Sequence, residues 1–244
     1  MKKLFLVKAI IPLVLLGCVS SQSDDEGLLS QEISTESKTK PTQSLEQSTV
    51  EDKANHILQY REMITEKRIE ESRQFRNYMS MSSSGEIFPL LEASKKGDAS
   101  AMYALGISYF FGRGVAKDDK ESSKWVLKAA SLGNTGAQAE IGHRYAVGLG
   151  IIQDDHKAVE WYRKAIKQGS PEAMSYLAWN YSKGRVVKKN LETAYSLYQL
   201  ADNDANQRAR ERIKELEKEM TQAQISTAKK LATDCIINYF ENCG

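Results

Sequence analysis

GDASAMYALGISYFFGRGVAKDDKESSKWVLKAASL (97–132), GNTGAQAEIGHRYAVGLGIIQDDHKAVEWYRKAIKQ (133–168) and GSPEAMSYLAWNYSKGRVVKKNLETAYSLYQLADND (169–204) are three lines of one text. Their opening glycines, Gly97, Gly133 and Gly169, stand 36 residues apart. A fixed period of this length marks a stacked helical array, because one such unit cannot bury its apolar face without a neighbour. The fold class it predicts is all-α: a solenoid of helix–turn–helix repeats forming a right-handed superhelix, with helical caps at both ends. The question shifts from which reaction to which partner.

The columns have a physical reading. After each opening glycine comes a residue able to cap a helix: Asp98, Asn134, Ser170 and, one period on, Asn206. Glycine just past a helix allows the left-handed turn, and Asp, Asn or Ser then accepts hydrogen bonds from the free amides of the next helix. Pro171 falls at the first helical position, where its missing N–H costs nothing. The first helix of each unit carries Ala101/Ala137/Ala173 and Leu105/Ile141/Leu177. Gly106/Gly142/Ala178 then permit close helix approach, and Tyr109/Tyr145/Tyr181 fill the space beyond. Gly112/Gly148/Gly184 end this helix, and Asp118/Asp154/Asn190 cap the second. That second helix is expected to present Trp125/Trp161/Leu197 and Ala129/Ala165/Ala201 inward.

This pattern resembles the Sel1-like repeat family, a relative of the tetratricopeptide arrays, whose unit reads roughly A..LG..Y..G.GV..D...A..W..KAA..G. The first two units match well, with GRGVAKD and GLGIIQD in the turn. The third departs at Ala178, Val186 and Leu197 but keeps the alanine, tyrosine and cap columns. The resemblance covers about half of the chain. It implies a fold and leaves the partner open.

Around residues 97–204 lie flanking segments. Residues 51–79 are dense in charge and free of Gly and Pro, which predicts one long helix. It reads as a cap over the first unit or, alternatively, as a partner-binding coiled coil. Met79–Gly85 (MSMSSSG) reads as a linker, and Glu86–Lys95 as a helix imitating the second half of a unit, since Ala93 falls 36 before Ala129. Residues 51–96 thus form an N-terminal capping region. Residues 205–244 form a C-terminal one, with Ala209 and Ile213 in register as a fourth first helix turned polar. With Cys18 taken by lipid, Cys235 and Cys243 remain as an even pair in an oxidising compartment and are read as a disulfide; the alternative, a metal or redox pair, lacks CxxC spacing and a nearby histidine.

Residues 1–17 read as a cleaved signal: Lys2 and Lys3, a short apolar run, then Leu15-Leu16-Gly17-Cys18. Small residues before a cysteine resemble a bacterial lipobox. That resemblance implies lipid attachment (palmitate among the acyl chains) at Cys18. Val19 and Ser20, rather than Asp, follow the cysteine and imply the outer membrane; the protein is expected to face the periplasm, with the cell exterior left open as the alternative. Residues 18–50 are rich in Ser, Thr, Gln and acid and read as a disordered tether. Removing residues 1–17 lowers the basic count from 34 to 31 against 32 acids, so the mature chain is near neutral. No bulk positive field points to nucleic acid.

No catalytic motif stands out. Gly112–Gly114 and Gly148–Gly150 sit in repeat turns, without the strand context of a dinucleotide site. His56, His143 and His156 are scattered, and no pair has metal-ligand spacing. No cofactor, metal or catalytic residue is expected. One surface stands out instead. Helical geometry places Tyr103, Ile107 and Phe111, then His143 and Val147, then Trp179 and Lys183, on the concave face of the superhelix. Glu140, Arg144 and Tyr176 would form its polar rim. The column Ile107/His143/Trp179 varies while its neighbours repeat, which suits partner contacts. The same residues could instead pack against residues 51–79 or the C-terminal helix.

The resemblance implies a lipid-anchored envelope module that binds another protein, as a scaffold or assembly factor without a reaction of its own. A second reading is an immunity protein, because some lipoproteins of this family neutralise type VI secretion phospholipase effectors in the periplasm. A third is a hydrolase or β-lactam-binding enzyme. That role belongs to cysteine-rich members, and this chain lacks their in-repeat cysteine pairs. Partner identity and oligomeric state stay open.

Overall fold

The computed structural model describes residues 50–202, 206–238, 240 and 243. The expected signal peptide (1–17), the expected lipidation site Cys18 and all but the last residue of the expected tether (18–50) lie outside them, as do residues 203–205, where the third unit meets the C-terminal region. Ten helices and no strand occur among the described residues. They are α1 (Val50–Ser83), α2 (Phe88–Lys95), α3 (Ala99–Phe111), α4 (Asp119–Ser131) and α5 (Thr135–Val147). Then follow α6 (Asp155–Lys167), α7 (Pro171–Lys183), α8 (Leu191–Ala201), α9 (Gln207–Glu219) and α10 (Gln222–Ile237). The pairs α3–α4, α5–α6 and α7–α8 are the three units of an all-α solenoid. No described helix is long and apolar enough to cross a membrane.

The cap columns act as their chemistry requires. Asp98 accepts from the amides of Ser100 and Ala101 at 2.8 and 2.9 Å, Asn134 from Ala137 at 2.8 Å, and Ser170 from Ala173 at 3.2 Å. Asp118, Asp154 and Asn190 do the same for α4, α6 and α8. One turn geometry recurs: the Asp118, Asp154 and Asn190 amides each donate to the carbonyl of Tyr109, Tyr145 and Tyr181 at 3.0 Å. Between units, the amides of Asn134 and Ser170 bond the carbonyls of Ala129 and Ala165. Asp98 bonds Ala93 in the same way, so α2 stands where a preceding second helix would.

Packing within a unit turns on the small-residue column. A Cβ on Gly142 would come within 2.7 Å of the Tyr162 ring, and one on Gly106 within 2.7 Å of Val126. The glycines let the second helix lie directly on the first. The residues filling that contact are Val126 and Tyr162, both buried, and Tyr198, one period on, is buried too. The tryptophans expected to point inward do not fill it. Trp125 and Trp161 are half-buried, with Lys128 and Lys164 over their rings at 4.1 and 3.9 Å. A cation one turn on can shield a tryptophan face, so Trp at these positions need not be core. Leu197, in the third unit, is buried as expected.

Two expectations about α1 are corrected. It runs on to Ser83 through most of the stretch read as a linker, because Ser82 is buried with its hydroxyl 2.6 Å from that of Ser108. Nor is it confined to the first unit. Tyr78 donates to Asp98 at 2.7 Å, Glu71 accepts from the Thr135 amide at 3.1 Å, and Tyr60 donates to the Lys167 carbonyl at 2.8 Å. Lys67 bonds the Gly133 carbonyl and Gln168, and Ile64 packs against Gly169. The charged helix is a strap that satisfies polar groups at the start of α3 and α5 and at the end of α6. At the other end α10, with a Thr221–Gln224 capping box, packs on α8. Cys235 and Cys243 are joined by a disulfide and buried.

Candidate partner-binding groove

The first helices present their variable columns to one face, but that face is not one surface. Next to α1, a hollow of about 300 Å³ is bounded by Phe75, Tyr103, Glu71, Glu140, Glu172 and Tyr176. Phe75 stacks on Tyr103 with ring centres 4.7 Å apart. Burial, reinforced by the Glu140 carboxylate, pushes the Tyr103 hydroxyl pKa above its ordinary value. Tyr103 is therefore covered by α1 rather than offered to a partner.

Arg144 differs most from the sequence expectation of an accessible rim. Its side chain is 0% exposed. It pairs with Glu140 at 2.8 Å, donates to Ser122 and Ser123 at 2.9 Å each, and lies 5.3 Å from the Phe110 ring centre. Its position, shared with Ser108 and Asn180, is a buried polar column in which each member bonds locally. A guanidinium can be enclosed only when carboxylate and hydroxyl partners meet it there, and these come from α4 as well as α5. Glu140 is correspondingly tied to Arg144 and leans into the hollow beside α1.

Beyond Tyr176 the face opens. A second hollow of about 500 Å³ lies between α5, α7 and α9. His143 stacks on Tyr176 with centres 4.9 Å apart, and Tyr176 on Tyr162 at 5.7 Å. Trp179 is half-buried along the same wall, and Val147 stands exposed at its edge. Tyr198 closes the floor, and burial pushes its hydroxyl up to about 12. Tyr176 is shifted upward too, first by burial and then by Glu140 and Glu172. Ile107 is half-buried and borders neither hollow, whereas Phe111 and Lys183 are exposed at the ends of their helices. The structure thus brings His143, Val147, Tyr176 and Trp179 together around the second hollow, which neither Tyr103 nor Arg144 borders; Tyr176 borders both hollows.

Sequence reasoning missed the cations of this hollow: Arg185 from the turn after α7, and Arg208 and Arg212 from α9. The signal for Arg212 was present. It stands 36 residues after Tyr176, so extending the variable columns to the fourth first helix reaches it. Among the described residues no group of three or more His, Cys, Asp or Glu side chains could hold a metal ion.

A family model described as the Sel1 repeat matches residues 99–134, 135–170 and 171–201. A solved structure of c5321, a protective antigen of uropathogenic Escherichia coli strains that displays an SLR fold, is 26% identical over 76% of this chain, with a TM-score of 0.60. The chain spans 41% of that protein. A Sel1 repeat protein from Oxalobacter formigenes is 32% identical, with 53% of this chain and 98% of that one covered and a TM-score of 0.48. No curated protein matches the sequence.

Proposed function

The chain belongs to the Sel1-like repeat family, and on that premise we propose that it is a lipid-anchored module of the bacterial envelope with no reaction of its own. Its repeats make a protein-interaction scaffold. The partner binds in the open half of the groove, against His143, Val147, Tyr176 and Trp179. The observation that carries this reading is the aromatic wall beside an unfilled hollow of about 500 Å³, with both helical flanks already in place. Packing by those flanks was the competing account of this face, and α1 supplies it at Tyr103, which stacks under Phe75. A wall of aromatic side chains left half-buried is the usual ground for a binding hot spot.

The anchor rests on the sequence of residues 1–20: two lysines, an apolar run, Leu15-Leu16-Gly17-Cys18 and no Asp after the cysteine. On this reading the protein sits on the outer membrane, facing the periplasm. A Cys18→Ser variant is expected to lose fatty-acid label and leave the membrane fraction; persistence of both contradicts the anchor.

The binding reading is tested by in-cell crosslinking and capture, wild type against Trp179→Ser/Val147→Ser. A partner lost from the double variant, whose helical melt is unchanged, supports it, and an unaltered partner set sinks it. Components of one envelope machine would make the protein a scaffold, and a phospholipase effector would make it an immunity protein.

A further inference from the structure

We propose that the open half of the groove selects an acidic segment of its partner, seating an Asp or Glu carboxylate between Arg185, Arg208 and Arg212 and the adjoining apolar or aromatic side chain on Trp179. This rests on the protein-binding reading above and adds the partner's chemistry.

Three guanidiniums from two separate elements border one hollow, and among the described residues no carboxylate borders it. Among the described residues, no acid pairs with Arg185 or Arg208. Arg185 reaches only the Ala146 carbonyl, at 3.4 Å, and lies over the Trp179 ring at 5.6 Å. Arg212 is engaged by Glu215 at 2.6 Å, one turn along α9, in a pair exposed enough to exchange for an incoming carboxylate. Guanidinium is the cation suited to a bidentate hold on carboxylate, and it stacks on aromatic faces as Arg185 does here.

A second observation points to a peptide rather than a bare anion. Asn180 borders the same hollow and is 3% exposed. Its amide nitrogen is committed to the Tyr176 carbonyl at 2.9 Å, and its Oδ1 has no partner. A buried acceptor left open calls for a donor, and the backbone N–H of an extended segment supplies one. The hollow next to α1 has the opposite character. Three carboxylates, Glu71, Glu140 and Glu172, border it against one guanidinium, Arg68, and the carboxylates are engaged by the Thr135 amide, Arg144 and the Ser170 hydroxyl. That neighbour repels acid, so the acidic end of the segment lies toward α9 and not toward α1.

The test uses a phage-displayed library of random dodecapeptides selected on the full-length chain, with selected peptides then synthesised and titrated. Selected peptides are expected to carry Asp or Glu beside Phe, Tyr, Trp or Leu. Changing that acid to its amide should weaken binding about tenfold or more. Arg185→Ala/Arg208→Ala should weaken the acidic peptide equally and the amide version little, and Trp179→Ser should weaken both. Basic or uncharged winners, or acidic winners indifferent to the arginines but sensitive to Trp179→Ser, overturn the acidic selection and leave the protein-binding reading standing. A selection that yields nothing sensitive to Trp179→Ser overturns both.

Discussion

The two halves of the concave face are built from the same columns and differ in what lies over them. On the α1 side, Tyr103 is stacked under Phe75, Ser108 meets Ser82 across the strap, and Arg144 is enclosed with Glu140. On the α9 side, Trp179, His143 and Val147 border an unfilled hollow ringed by arginine. Variation within a repeating column therefore carries two meanings. Where a flanking helix docks, variable residues are chosen to fit that helix; where none docks, they are left for another molecule.

If this division is right, substitutions in the covered half should damage the fold and those in the open half should damage binding. The largest effect on stability is expected from Arg144→Ala. It strips Glu140 and two α4 serines of their partner and should cost about 3 kcal/mol in a urea titration. A loss under about 1 kcal/mol would mean the polar column is not integral to the core. Phe75→Ala removes a partly buried ring from Tyr103 and should cost about 2 kcal/mol while leaving partner capture intact. Loss of capture without loss of stability would move the binding surface onto α1.

Alkali offers a milder perturbation. Tyr78, held by burial and by its bond to the Asp98 carboxylate, and Tyr198, held by burial, are both pushed up to about 12. The unfolded chain ionises its tyrosines near about 10. The unfolded state thus releases these protons first. The stabilisation is full below pH 10 and is lost as pH rises toward 12. Melting temperature should fall across that window, less steeply in Tyr78→Phe; a pH-independent melt would contradict the burial of both hydroxyls. The smallest effect on the fold is expected from Trp179→Ser/Val147→Ser, within about 1 kcal/mol of wild type. A collapsed melt in that variant would make the open half core after all.

Much of this was legible in the sequence, because the cap and glycine columns are local chemistry. Asp98, Asn134 and Ser170 bind the amides their spacing predicts, and Gly142 sits where a Cβ would strike Tyr162. What escaped depended on neighbours distant in sequence. Arg144 looks like a surface residue until Ser122 and Ser123 from α4 are seen to surround it. MSMSSSG looks like a linker until Ser82 finds Ser108. Trp125 and Trp161 look like core until Lys128 and Lys164 are found over their faces. Arg208 and Arg212 look like the charge of a polar cap, and only the placement of α9 turns them toward Trp179.

The most direct test of the division is site-specific photocrosslinking in the cell, with a photoreactive side chain placed at Val147 in the open half and, separately, at Lys164 on α6. The account predicts an adduct with a partner from position 147 that disappears when Trp179 is changed to Ser, and none from position 164. Equal adducts from both positions, or an adduct from 147 that survives Trp179→Ser, would contradict it.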